Sequence, residues 1–435
     1  MIDSAAASLP TSADVVVVGA GVAGLACAKH LAAVGVDVVV VEAADGVGGR
    51  VRSDVVGGFR VDRGFQLLNP GYPEVTKVLD VPALQLQTFD AGVAVARGGV
   101  VSAVRDPRRH PAGVLGALRF PLGTLGEKAA LVRWALASAS AADLRREDGT
   151  WAEALDEADV RGELRHSVVE PFLAGVLGEA AGTTSRRFVD LLVRTFLRGT
   201  PGLPAAGMQA VPDQLAAALP AGSVVTGVEV AHVGHGPRSL VVETPQGGLS
   251  TSAVVVATGG EAAAHLTGLP EPGAHDLGTF WFAADSSPAP GSREKLLHLD
   301  GDRTGPVVNS AVVSAVAPGY VLAAADHRAL VSAQVLGADV GPDVEAAVRT
   351  QLARIYGVDT RPWALVAAHS IRRALPVVAP PFEGAQPVDL GEGIVVAGDH
   401  RENASLQGAL VSGRRAADAV LTGLGYGRRP AVLTA

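Results

Sequence analysis

Cysteine, lysine and aromatic residues are scarce in this chain of 435 residues. Cys27 is the single cysteine, so an intrachain disulfide and a redox-active thiol pair are both excluded. Lysine occurs only as Lys29, Lys77, Lys128 and Lys295. The formal net charge of −8 provides no overall basic surface, which argues against nucleic acid as a partner.

Long apolar runs and a targeting signal are also lacking. Residues 1–12 contain neither a positive cluster nor an apolar segment of signal-peptide length. Elsewhere, charge or glycine interrupts the apolar runs before the ~18–20 residues that a membrane-spanning helix needs. The hydrophobic content of 48% and the 53 glycines suit a globular α/β protein, long enough for two domains. We expect a cytoplasmic protein, and we assign no metal site.

The stretch from Ala13 to Ala43 contains a strand, a glycine turn, a helix and a second strand. The apolar run 15–18 leads into the turn, and the second run, 38–41, ends at Glu42. An acidic residue at this place accepts hydrogen bonds from a ribose and repels a 2′-phosphate. Three glycines alone would be weak evidence for a nucleotide site, but here strand, helix and acid occur in register.

Each glycine of the turn has its own expected role. Gly19 allows the tight turn, Gly21 lets a pyrophosphate approach the backbone, and Gly24 lets helix and strand pack closely. The N-terminus of the helix supplies free N–H groups and partial positive charge to the phosphates. The expected dinucleotide contacts in this unit are Gly19, Gly21, Val22, Ala23, Gly24, Glu42 and Ala43.

The residues after Glu42 indicate which nucleotide is bound. The chain continues AADGVGGRVRS, which contains Gly48, Gly49 and Arg50. With this continuation the sequence resembles the flavin-dependent superfamily of amine oxidases, protoporphyrinogen oxidases and carotenoid (phytoene) desaturases. In that superfamily two further backbone amides and an arginine reach the FAD pyrophosphate. The resemblance therefore implies FAD rather than NAD, with Arg50 on the phosphates.

The resemblance also implies contacts along the rest of the cofactor. The segment Asp62-Arg63-Gly64 is expected to lie along the isoalloxazine ring, and Gln66 at the ring edge; a strand glutamine facing solvent is the alternative. The main chain near Val228 is expected to contact the adenine. The further implied contacts are Gly64, Phe65, Gln66, Val228, Ala257 and Thr258.

The stretch from Gly393 to Leu421 resembles the closing motif of the same superfamily. A strand leads into Gly398 and Asp399, and a helix begins near Gln407. The resemblance implies that Asp399 meets the ribityl chain or the pyrophosphate and that the helix N-terminus faces the flavin pyrimidine edge. Hydride arrival at N5 places negative charge on N1 and O2, which helix N–H groups stabilise. The implied contacts are Gly398, Asp399, Gln407, Gly408 and Ala409.

These motifs predict an α/β protein with a Rossmann-like FAD-binding domain of the GR2 type, similar to p-hydroxybenzoate hydroxylase, and a discontinuous α+β substrate domain. We assign residues 1–69, 205–267 and 387–435 to the FAD-binding domain. Residues 70–204 and 268–386 are assigned to the substrate domain. No second glycine fingerprint follows, which argues against a reductase that binds NAD(P)H in a Rossmann domain of its own.

Local patterns predict several elements. Residues 70–204 are expected to be mostly helical, with a capping box at Thr150 and Glu153. Phe188, Leu191, Leu192 and Phe196 recur at helical spacing and are predicted to be core. A hairpin is expected around Gly57-Gly58. Other predicted strands are 224–233, 240–244, 252–257, 279–284, 307–316, 320–324 and 330–336, and a helix is predicted over 342–356.

Three functions remain open at this stage. The favoured one is an oxidase or desaturase that transfers a hydride from an apolar unsaturated molecule, isoprenoid or tetrapyrrole precursor, to flavin N5, with oxygen or a quinone as electron acceptor. The second is a flavin amine oxidase. Amine-oxidising relatives usually place a lysine and two aromatic rings near the flavin, whereas the strand 279–284 has no lysine, Lys295 sits in a polar segment, and residues 399–408 contain no Tyr or Trp. Trp281 and Trp363 are the remaining aromatic candidates. The third function is a flavin-binding sensor or scaffold without turnover, and a non-redox isomerase that uses reduced flavin is a further alternative beside it.

The candidates for catalysis are weaker. His400 is able to move a proton near neutral pH, and Arg401 to hold an anionic substrate group; closing the loop or pairing with cofactor phosphates is the alternative for both. Gln66 and Gln407 complete this set. The segment from Arg105 to Lys128 mixes basic and apolar residues, which suits either peripheral contact with a membrane or a plain loop. Oligomeric state is not predicted.

Overall fold

The computed structural model describes residues 9–106, 108–109, 120–140, 147–237, 239–284, 294–325 and 328–426. Within these ranges the strands are β1 (Ser12–Val18), β2 (Val38–Glu42), β3 (Ser53–Val56), β4 (Phe59–Asp62), β5 (Gln87–Thr88), β6 (Gly92–Arg97), β7 (Val100–Arg105), β8 (Gly202–Leu203), β9 (Val224–Thr226), β10 (His232–His235), β11 (Leu240–Thr244), β12 (Gly247–Val256), β13 (Ala274–Ala284), β14 (Leu297–Asp300), β15 (Val307–Val312), β16 (Ala329–Leu336), β17 (Ala364–Pro376) and β18 (Ile394–Val396).

The helices in the same ranges are α1 (Val22–Ala33), α2 (Pro73–Val78), α3 (Leu125–Ala139), α4 (Trp151–Glu157), α5 (Gly162–Leu164), α6 (Glu170–Leu177), α7 (Arg186–Arg198), α8 (Ala210–Ala217), α9 (Gly260–Thr267), α10 (Val313–Val316), α11 (Pro342–Tyr356) and α12 (Leu406–Gly423). A π-helical turn, Arg165–Val169, joins α5 to α6. None of the helices in the described ranges is both long and apolar enough to cross a bilayer.

The first sheet is built around five parallel strands in the order β18-β12-β1-β2-β9. Strands β10 and β11 extend it in antiparallel fashion from β12. The valine runs of β1 and β2 are buried, as expected for parallel strands covered on both faces. Helix α12 packs closely on α1, because Gly413 leaves no Cβ to collide with the carbonyl oxygen of Ala23.

The second sheet has the order β17-β13-β16-β15-β14-β6-β7. Its neighbours are antiparallel except for β6 and β14, which run parallel. One face packs against α11 through a cluster that includes Phe282, Tyr356 and Trp363. The opposite face is turned towards the first sheet, so that the space between the two sheets is walled by segments from both.

The prediction that residues 70–204 are mostly helical was incomplete. Strands β6 and β7 lie in this segment: β6 joins the second sheet by pairing with β14, about two hundred residues later in sequence, and β7 pairs with β6. The short apolar and small residues of these two strands do not distinguish a strand from a helix by themselves. The pairing that stabilises β6 comes from a distant part of the chain, so the local sequence does not reveal it. The capping box was predicted correctly: Thr150 Oγ1 accepts from Glu153 N at 3.2 Å, and Glu153 Oε2 accepts from Thr150 N at 2.8 Å.

Several predicted strand boundaries also differ from the structure. The strand predicted over 307–316 ends at Val312, where the short helix α10 begins. The segment 320–324 contains 3-10 turns instead of a strand. The strand predicted over 224–233 is two separate strands, β9 and the start of β10, with a loop between them. The hairpin β3–β4, strand β16 and helix α11 agree with the predictions.

Candidate active site

One continuous cavity of about 1830 Å³ lies between the two sheets. At one end it is lined by the glycine turn after β1 and by Glu42 at the end of β2. At the other end it reaches α6, α7 and the face of the second sheet, where Asn309 and Gln334 form part of the wall. The cavity therefore joins the carboxyl ends of the parallel strands, where nucleotides bind in open α/β sheets, to a separate chamber.

The glycine turn is tightly packed on one side and open on the other. Gly19 has φ +106°, and a Cβ there would lie 2.8 Å from the carbonyl oxygen of Ala257. A Cβ at Gly24 would collide with the carbonyl oxygen of Gly19. At Gly21, in contrast, a Cβ would meet nothing within 4 Å, because this residue faces the cavity. Gly21 is also the N-cap of α1 and provides no side-chain cap, which leaves the first N–H groups of the helix to a ligand.

Glu42 is held at the same end of the cavity by the main chain. Its Oε2 accepts from the amide of Ala20 at 2.7 Å, and its Oε1 accepts from the amide of Ala44 at 2.8 Å. Each carboxylate oxygen keeps a further lone pair that is able to accept from a ribose hydroxyl. The carbonyl of Glu42 accepts from the amide of Val228 at 2.9 Å, which brings that main chain to the cavity wall as well.

Arg50 and Asp399 connect the two ends of the sequence. Arg50 donates from Nη2 to Asp399 Oδ1 at 2.7 Å and from Nη1 to the carbonyl of Ala374 at 2.7 Å. The negative charge of Asp399 raises the pKa of the Arg50 guanidinium above its ordinary value, so Arg50 is a cation at this wall. Gly48 and Gly49 precede Arg50 with positive φ angles and line the cavity with it.

The segment Gly64 to Gln66 forms part of the cavity wall between the two ends. Gly64 has φ +110°, and a Cβ there would lie 3.4 Å from Ile371 Cδ1 of β17. Gln66 donates from Nε2 to the carbonyl of Arg50 at 2.8 Å, and its side chain lines the cavity. Phe65 packs edge-on against Phe89, with ring centroids 6.2 Å apart.

Asp62 is a buried carboxyl directly behind this segment. Its oxygens accept from the Ser53 hydroxyl, from the Tyr320 hydroxyl at 2.7 Å and from the amide of Met208 at 3.1 Å. Trp281 Nε1 donates to the carbonyl of Asp62 at 3.1 Å, which links β4 to the second sheet. Burial raises the pKa of Asp62 to about 6, despite these donors.

Helix α12 begins where the sequence predicts, but Gln407 and Gly408 do not line the cavity as expected. Ser405 is the N-cap, and its Oγ accepts from the amide of Gly408 at 3.2 Å. The Gln407 side chain turns away from the cavity, since its Oε1 accepts from the amide of Glu74 at 2.9 Å. Leu406 and Ala409 line the cavity, whereas Gln407 and Gly408 do not. The N-terminus of α12 therefore lines the cavity through Leu406 and Ala409 instead of Gln407 and Gly408.

His400 and Arg401 point in different directions. His400 lines the cavity, and its Nε2 has no hydrogen-bond partner among the described residues. Burial lowers the pKa of His400 below its usual range, so the ring is neutral at pH 7. Arg401 donates to the carbonyl of Pro387 and does not line the cavity, so it is not placed to hold a substrate anion.

The aromatic stripe of α7 is both core and cavity wall. Phe188 and Leu192 are buried as predicted, and together with Phe196 they line the chamber. Phe196 packs edge-on against Phe172 of α6, with centroids 5.5 Å apart. Leu191 is partly buried and packs against the core. Four large side chains therefore give this end of the cavity an apolar surface.

Other candidates from the sequence lie elsewhere. Trp281 is fully buried behind the cavity wall, and Trp363 packs against Phe282 and Tyr356 on the far face of the second sheet. Arg105, Arg108 and Arg109 line the cavity, but residues 107 and 110–119 of the mixed basic and apolar segment lie outside the described residues.

Comparison with known proteins shows which protein family the chain belongs to. The sequence profile of the family described as flavin containing amine oxidoreductase matches residues 22–421. The chain belongs to this family. The resemblance proposed from the GGR and C-terminal motifs is confirmed, and so is FAD as the cofactor of these oxidoreductases.

Individual relatives match over different lengths. Putrescine oxidase of Kocuria rosea is 46% identical over 97 residues, which is 22% of this chain and 19% of that protein. A protein of Mycobacterium tuberculosis assigned as a flavin-containing monoamine oxidase is 48% identical over 61 residues, or 14% of this chain and 13% of that protein. The chain thus spans about a fifth or less of the length of these curated relatives.

Solved structures of the family share the fold over nearly the whole chain. A protein assigned as a protoporphyrinogen oxidase from Exiguobacterium sp. 255-15 has a TM-score of 0.70 at 16% identity, covering 94% of this chain and 98% of that one. Putrescine oxidase bound to putrescine has a TM-score of 0.69 at 18% identity, covering 94% and 99%. These similarities confirm the predicted fold class.

The family assignment gives Glu42 a testable role at the ribose. We expect Glu42→Ala to weaken FAD binding about tenfold or more, because a hydrogen bond to a charged group contributes about 1.5–3 kcal/mol. The A450/A280 ratio of the purified protein and a titration of apoprotein with FAD measure the effect. Glu243→Ala, an exposed glutamate on β11 that does not line the cavity, is the matched control. Equal FAD retention in the two variants would remove Glu42 from the site.

The raised pKa of Asp62 predicts that the stability of the protein depends on pH. Its pKa in the folded protein, about 6, exceeds the ordinary value of 3.8. Between these values the folded state binds more protons than the unfolded chain, so this group's contribution to stability falls as the pH rises. We expect the free energy of unfolding of Asp62→Asn, relative to the unsubstituted protein, to increase by about 3 kcal/mol between about pH 4 and pH 7.

Denaturant unfolding of both proteins across this range measures the difference. Asp54→Asn is the control that should show almost no pH dependence in this range, because the hydrogen bond from Arg63 lowers the pKa of Asp54 below its ordinary value of 3.8, so its contribution to stability changes only at lower pH. A difference between Asp62→Asn and the unsubstituted protein that does not change with pH would mean that Asp62 is ionised in the fold without cost.

Proposed function

We propose that this protein is an FAD-dependent oxidoreductase that takes a hydride from a largely apolar, unsaturated substrate. The observation that carries the proposal is the continuous cavity, which connects the glycine turn and Glu42 to the chamber lined by Phe172, Phe188 and Phe196. One end has the groups that a dinucleotide needs, and the other has an apolar surface of the kind that binds small molecules. The specific substrate and the individual site residues are part of this proposal.

The residues present fit FAD. The open face of Gly21 and the uncapped start of α1 suit the pyrophosphate, with Arg50 as a cation at the same wall. Glu42 is oriented for ribose hydroxyls, and the cavity continues past Gly64 and Gln66 towards the end of α12. When bound, FAD supplies an acceptor for a hydride, which no side chain of the protein provides.

The protein's own contribution is positioning and exclusion of water. The substrate would lose a hydride from one carbon and a proton from its neighbour to solvent, and the product would gain one double bond. Oxygen or a quinone would then take up the two electrons. The chamber walls hold the reacting C–H bond against the flavin end of the cavity, a geometric effect that needs no abundance of acids and bases. His400, neutral at pH 7 and facing the cavity, is the available side chain for moving a proton.

A division into two domains supports the same function. Residues 1–69, 205–267 and 387–435 supply the strands of the first sheet, whereas residues 70–204 and 268–386 supply those of the second. We propose that the first set of segments binds FAD and that the second binds the substrate.

Amine oxidation is the second candidate, because the curated relatives include putrescine oxidase. Within the described residues, Lys128 of α3 is the one lysine that lines the cavity. Its Nζ donates a hydrogen bond to the carbonyl of Phe120, which precedes α3. Strand β13 carries no lysine, and the loop 399–408 carries no Tyr or Trp. These features favour the apolar substrate over an amine.

Anaerobic reduction tests the proposal and separates the candidates. FAD-loaded protein is mixed without oxygen with a polyprenoid hydrocarbon or polyprenol, with a porphyrinogen, and with putrescine and benzylamine. Loss of the 450-nm absorbance with a polyprenoid or porphyrinogen, and its recovery with oxygen or a quinone, is the expected result. Bleaching by the amines alone would favour the amine oxidase, and no bleaching by any compound would favour a sensor or scaffold.

A further inference from the structure

A buried phenol forms part of the cavity wall beside the start of α12. Tyr72, the residue that precedes α2, lines the cavity together with Ser405, Leu406 and Ala409. Only 8% of Tyr72 is exposed, and burial raises its pKa to about 12, so the hydroxyl keeps its proton at neutral pH. A buried hydroxyl normally has a hydrogen-bond partner, and that partner indicates which part of the structure the residue supports.

The partner of Tyr72 is the N-cap residue of α12. The Tyr72 side chain hydrogen-bonds to Ser405. The Ser405 hydroxyl donates its single proton to Asn403 Oδ1 at 2.5 Å, and it accepts from the amide of Gly408 at 3.2 Å. A hydroxyl has one proton and two lone pairs, so Tyr72 is the donor to the remaining lone pair of Ser405 Oγ. The cap that ends α12 is therefore itself held from the cavity wall.

Two further contacts join the first turn of α2 to α12. The amide of Glu74 donates to Gln407 Oε1 at 2.9 Å, and Glu74 Oε1 accepts from Arg414 Nε at 2.6 Å. Glu74 is only 2% exposed, so its carboxylate is shielded from water. The Gln407 side chain, which the family resemblance implied to be a flavin contact, is thus part of the connection between the two helices.

Helix α2 is anchored at both of its own ends. The carbonyl of Val78, its last residue, accepts from Lys29 Nζ of α1 at 2.6 Å. At the other end, a Cβ at Gly71 would lie 2.7 Å from the carbonyl oxygen of Thr195 in α7. Gly71 is not among the glycines with positive φ, so its missing side chain serves this close approach. Tyr72 is therefore presented by a segment that contacts three helices.

The start of α12 offers partial positive charge to a ligand in the cavity. The amides of Leu406 and Gln407 have no partner inside the helix, because the Ser405 cap takes only the amide of Gly408. A reduced flavin carries negative charge on N1 and O2, which a helix N-terminus stabilises within about one turn. The size of this effect depends on distance, so the position of Ser405 determines it.

We propose that Tyr72 is a positioning residue that raises the reduction potential of the bound flavin by holding the Ser405 cap, and with it the N-terminus of α12, at the cavity. This inference rests on the proposed function, because it takes the pyrimidine edge of the flavin to lie at α12, and it adds a residue that tunes the flavin as an electron acceptor. Without the Tyr72 hydroxyl, the start of α12 is free to move away from the cavity.

Tyr72→Phe tests this role, since it removes the hydroxyl and keeps the ring. The midpoint potential of the bound FAD is measured by anaerobic reduction against a reference dye, with no substrate present. We expect the ratio of the dissociation constants of oxidised and reduced FAD to fall about threefold, equivalent to a potential lower by about 14 mV for a two-electron couple. In a Ser405→Ala background, Tyr72→Phe should cause no further shift, because the acceptor of its hydrogen bond is already absent.

A second buried tyrosine provides the matched control. The Tyr356 hydroxyl hydrogen-bonds to Ser310 Oγ at 2.9 Å, but Tyr356 does not line the cavity. Tyr356→Phe should therefore destabilise the protein and leave the potential of the flavin unchanged. A loss of stability alone would not reproduce the effect expected for Tyr72→Phe.

Gln407→Leu tests the same connection from outside the cavity. Gln407 does not line the cavity, so a shift in this variant reports the position of α12 and not a lost contact with the flavin. We expect the potential to fall here as well. This variant also decides the question if Tyr72→Phe does not fold.

An unchanged or higher potential in Tyr72→Phe, an equal shift in Tyr356→Phe, or an unchanged potential in Gln407→Leu would overturn the assignment. These measurements need no turnover. A protein whose potential responds as expected but which no substrate bleaches would contradict the proposed function and leave the role of Tyr72 standing. Bleaching by a polyprenoid or a porphyrinogen, with an unchanged potential in Tyr72→Phe, would do the reverse.

Discussion

Valine at position 21 is expected to abolish FAD binding without unfolding the protein. Gly21 has φ −71° and ψ 173°, a conformation that valine adopts readily, and a Cβ there meets nothing within 4 Å. The new side chain projects into the part of the cavity assigned to the pyrophosphate and covers the free N–H groups of α1. We expect the FAD dissociation constant to rise more than about 100-fold, equivalent to about 2.7 kcal/mol.

Two measurements on the apoprotein make this prediction sharp. The far-UV circular dichroism spectrum of apo Gly21→Val should match that of the unsubstituted apoprotein. Its free energy of unfolding, followed through the Tm, should differ by no more than about 1 kcal/mol, the scale of an N-cap change. Gly423→Val is the control, because Gly423 also has free space around it but lies at the end of α12, away from the cavity. Gly24→Ala would be uninformative, since its Cβ collides with Gly19 and damages the turn itself. A yellow Gly21→Val protein would show that the pyrophosphate does not lie on this turn.

Breaking the Arg50–Asp399 ion pair is expected to have the second large effect on FAD binding. Removing the guanidinium in Arg50→Ala leaves Asp399, whose side chain is 8% exposed, without its counter-charge, and it removes the predicted phosphate contact. We expect FAD affinity to fall about 100-fold and the apoprotein to lose about 1–2 kcal/mol, a value kept small because the Arg50 side chain is 37% exposed.

A double-mutant cycle with Asp399→Asn isolates the pair. The combined variant should be destabilised by less than the sum of the two single variants, because each of them already breaks the same contact. Arg52→Ala is the matched control: Arg52 pairs with the exposed Asp45 and does not line the cavity. Additive effects in the cycle, or equal loss of FAD in Arg52→Ala, would contradict the role given to Arg50.

The sequence was informative where function depends on short local patterns. The unit from β1 to β2 was predictable because its turn, its helix start and its terminal acid lie within about thirty residues and each has a physical reason. Arg50 and Asp399 were predictable only as separate motifs. Their contact joins residues 349 positions apart, and it depends on how β1 and β18 pair with β12 in the first sheet.

The chamber was not predictable in the same way. Asn309 and Gln334 are single amides in apolar strands, and an isolated polar residue in a strand is equally consistent with the solvent face. Only the register between β15 and β16 places them side by side at the cavity wall. Gln407 shows the opposite case: the start of α12 was predicted well, but the direction of the Gln407 side chain depends on α2, which contacts it from another part of the chain.

The parallel pairing of β6 with β14 has a consequence for how the chain matures. During synthesis, the hairpin of β6 and β7 leaves the ribosome about two hundred residues before its partner strand exists. Until then the edge Gly92–Arg97 carries unsatisfied N–H and C=O groups, the kind of edge that joins to other chains. Nascent protein is therefore expected to be most prone to aggregation, and most dependent on chaperones, in the interval before residue 300 is translated.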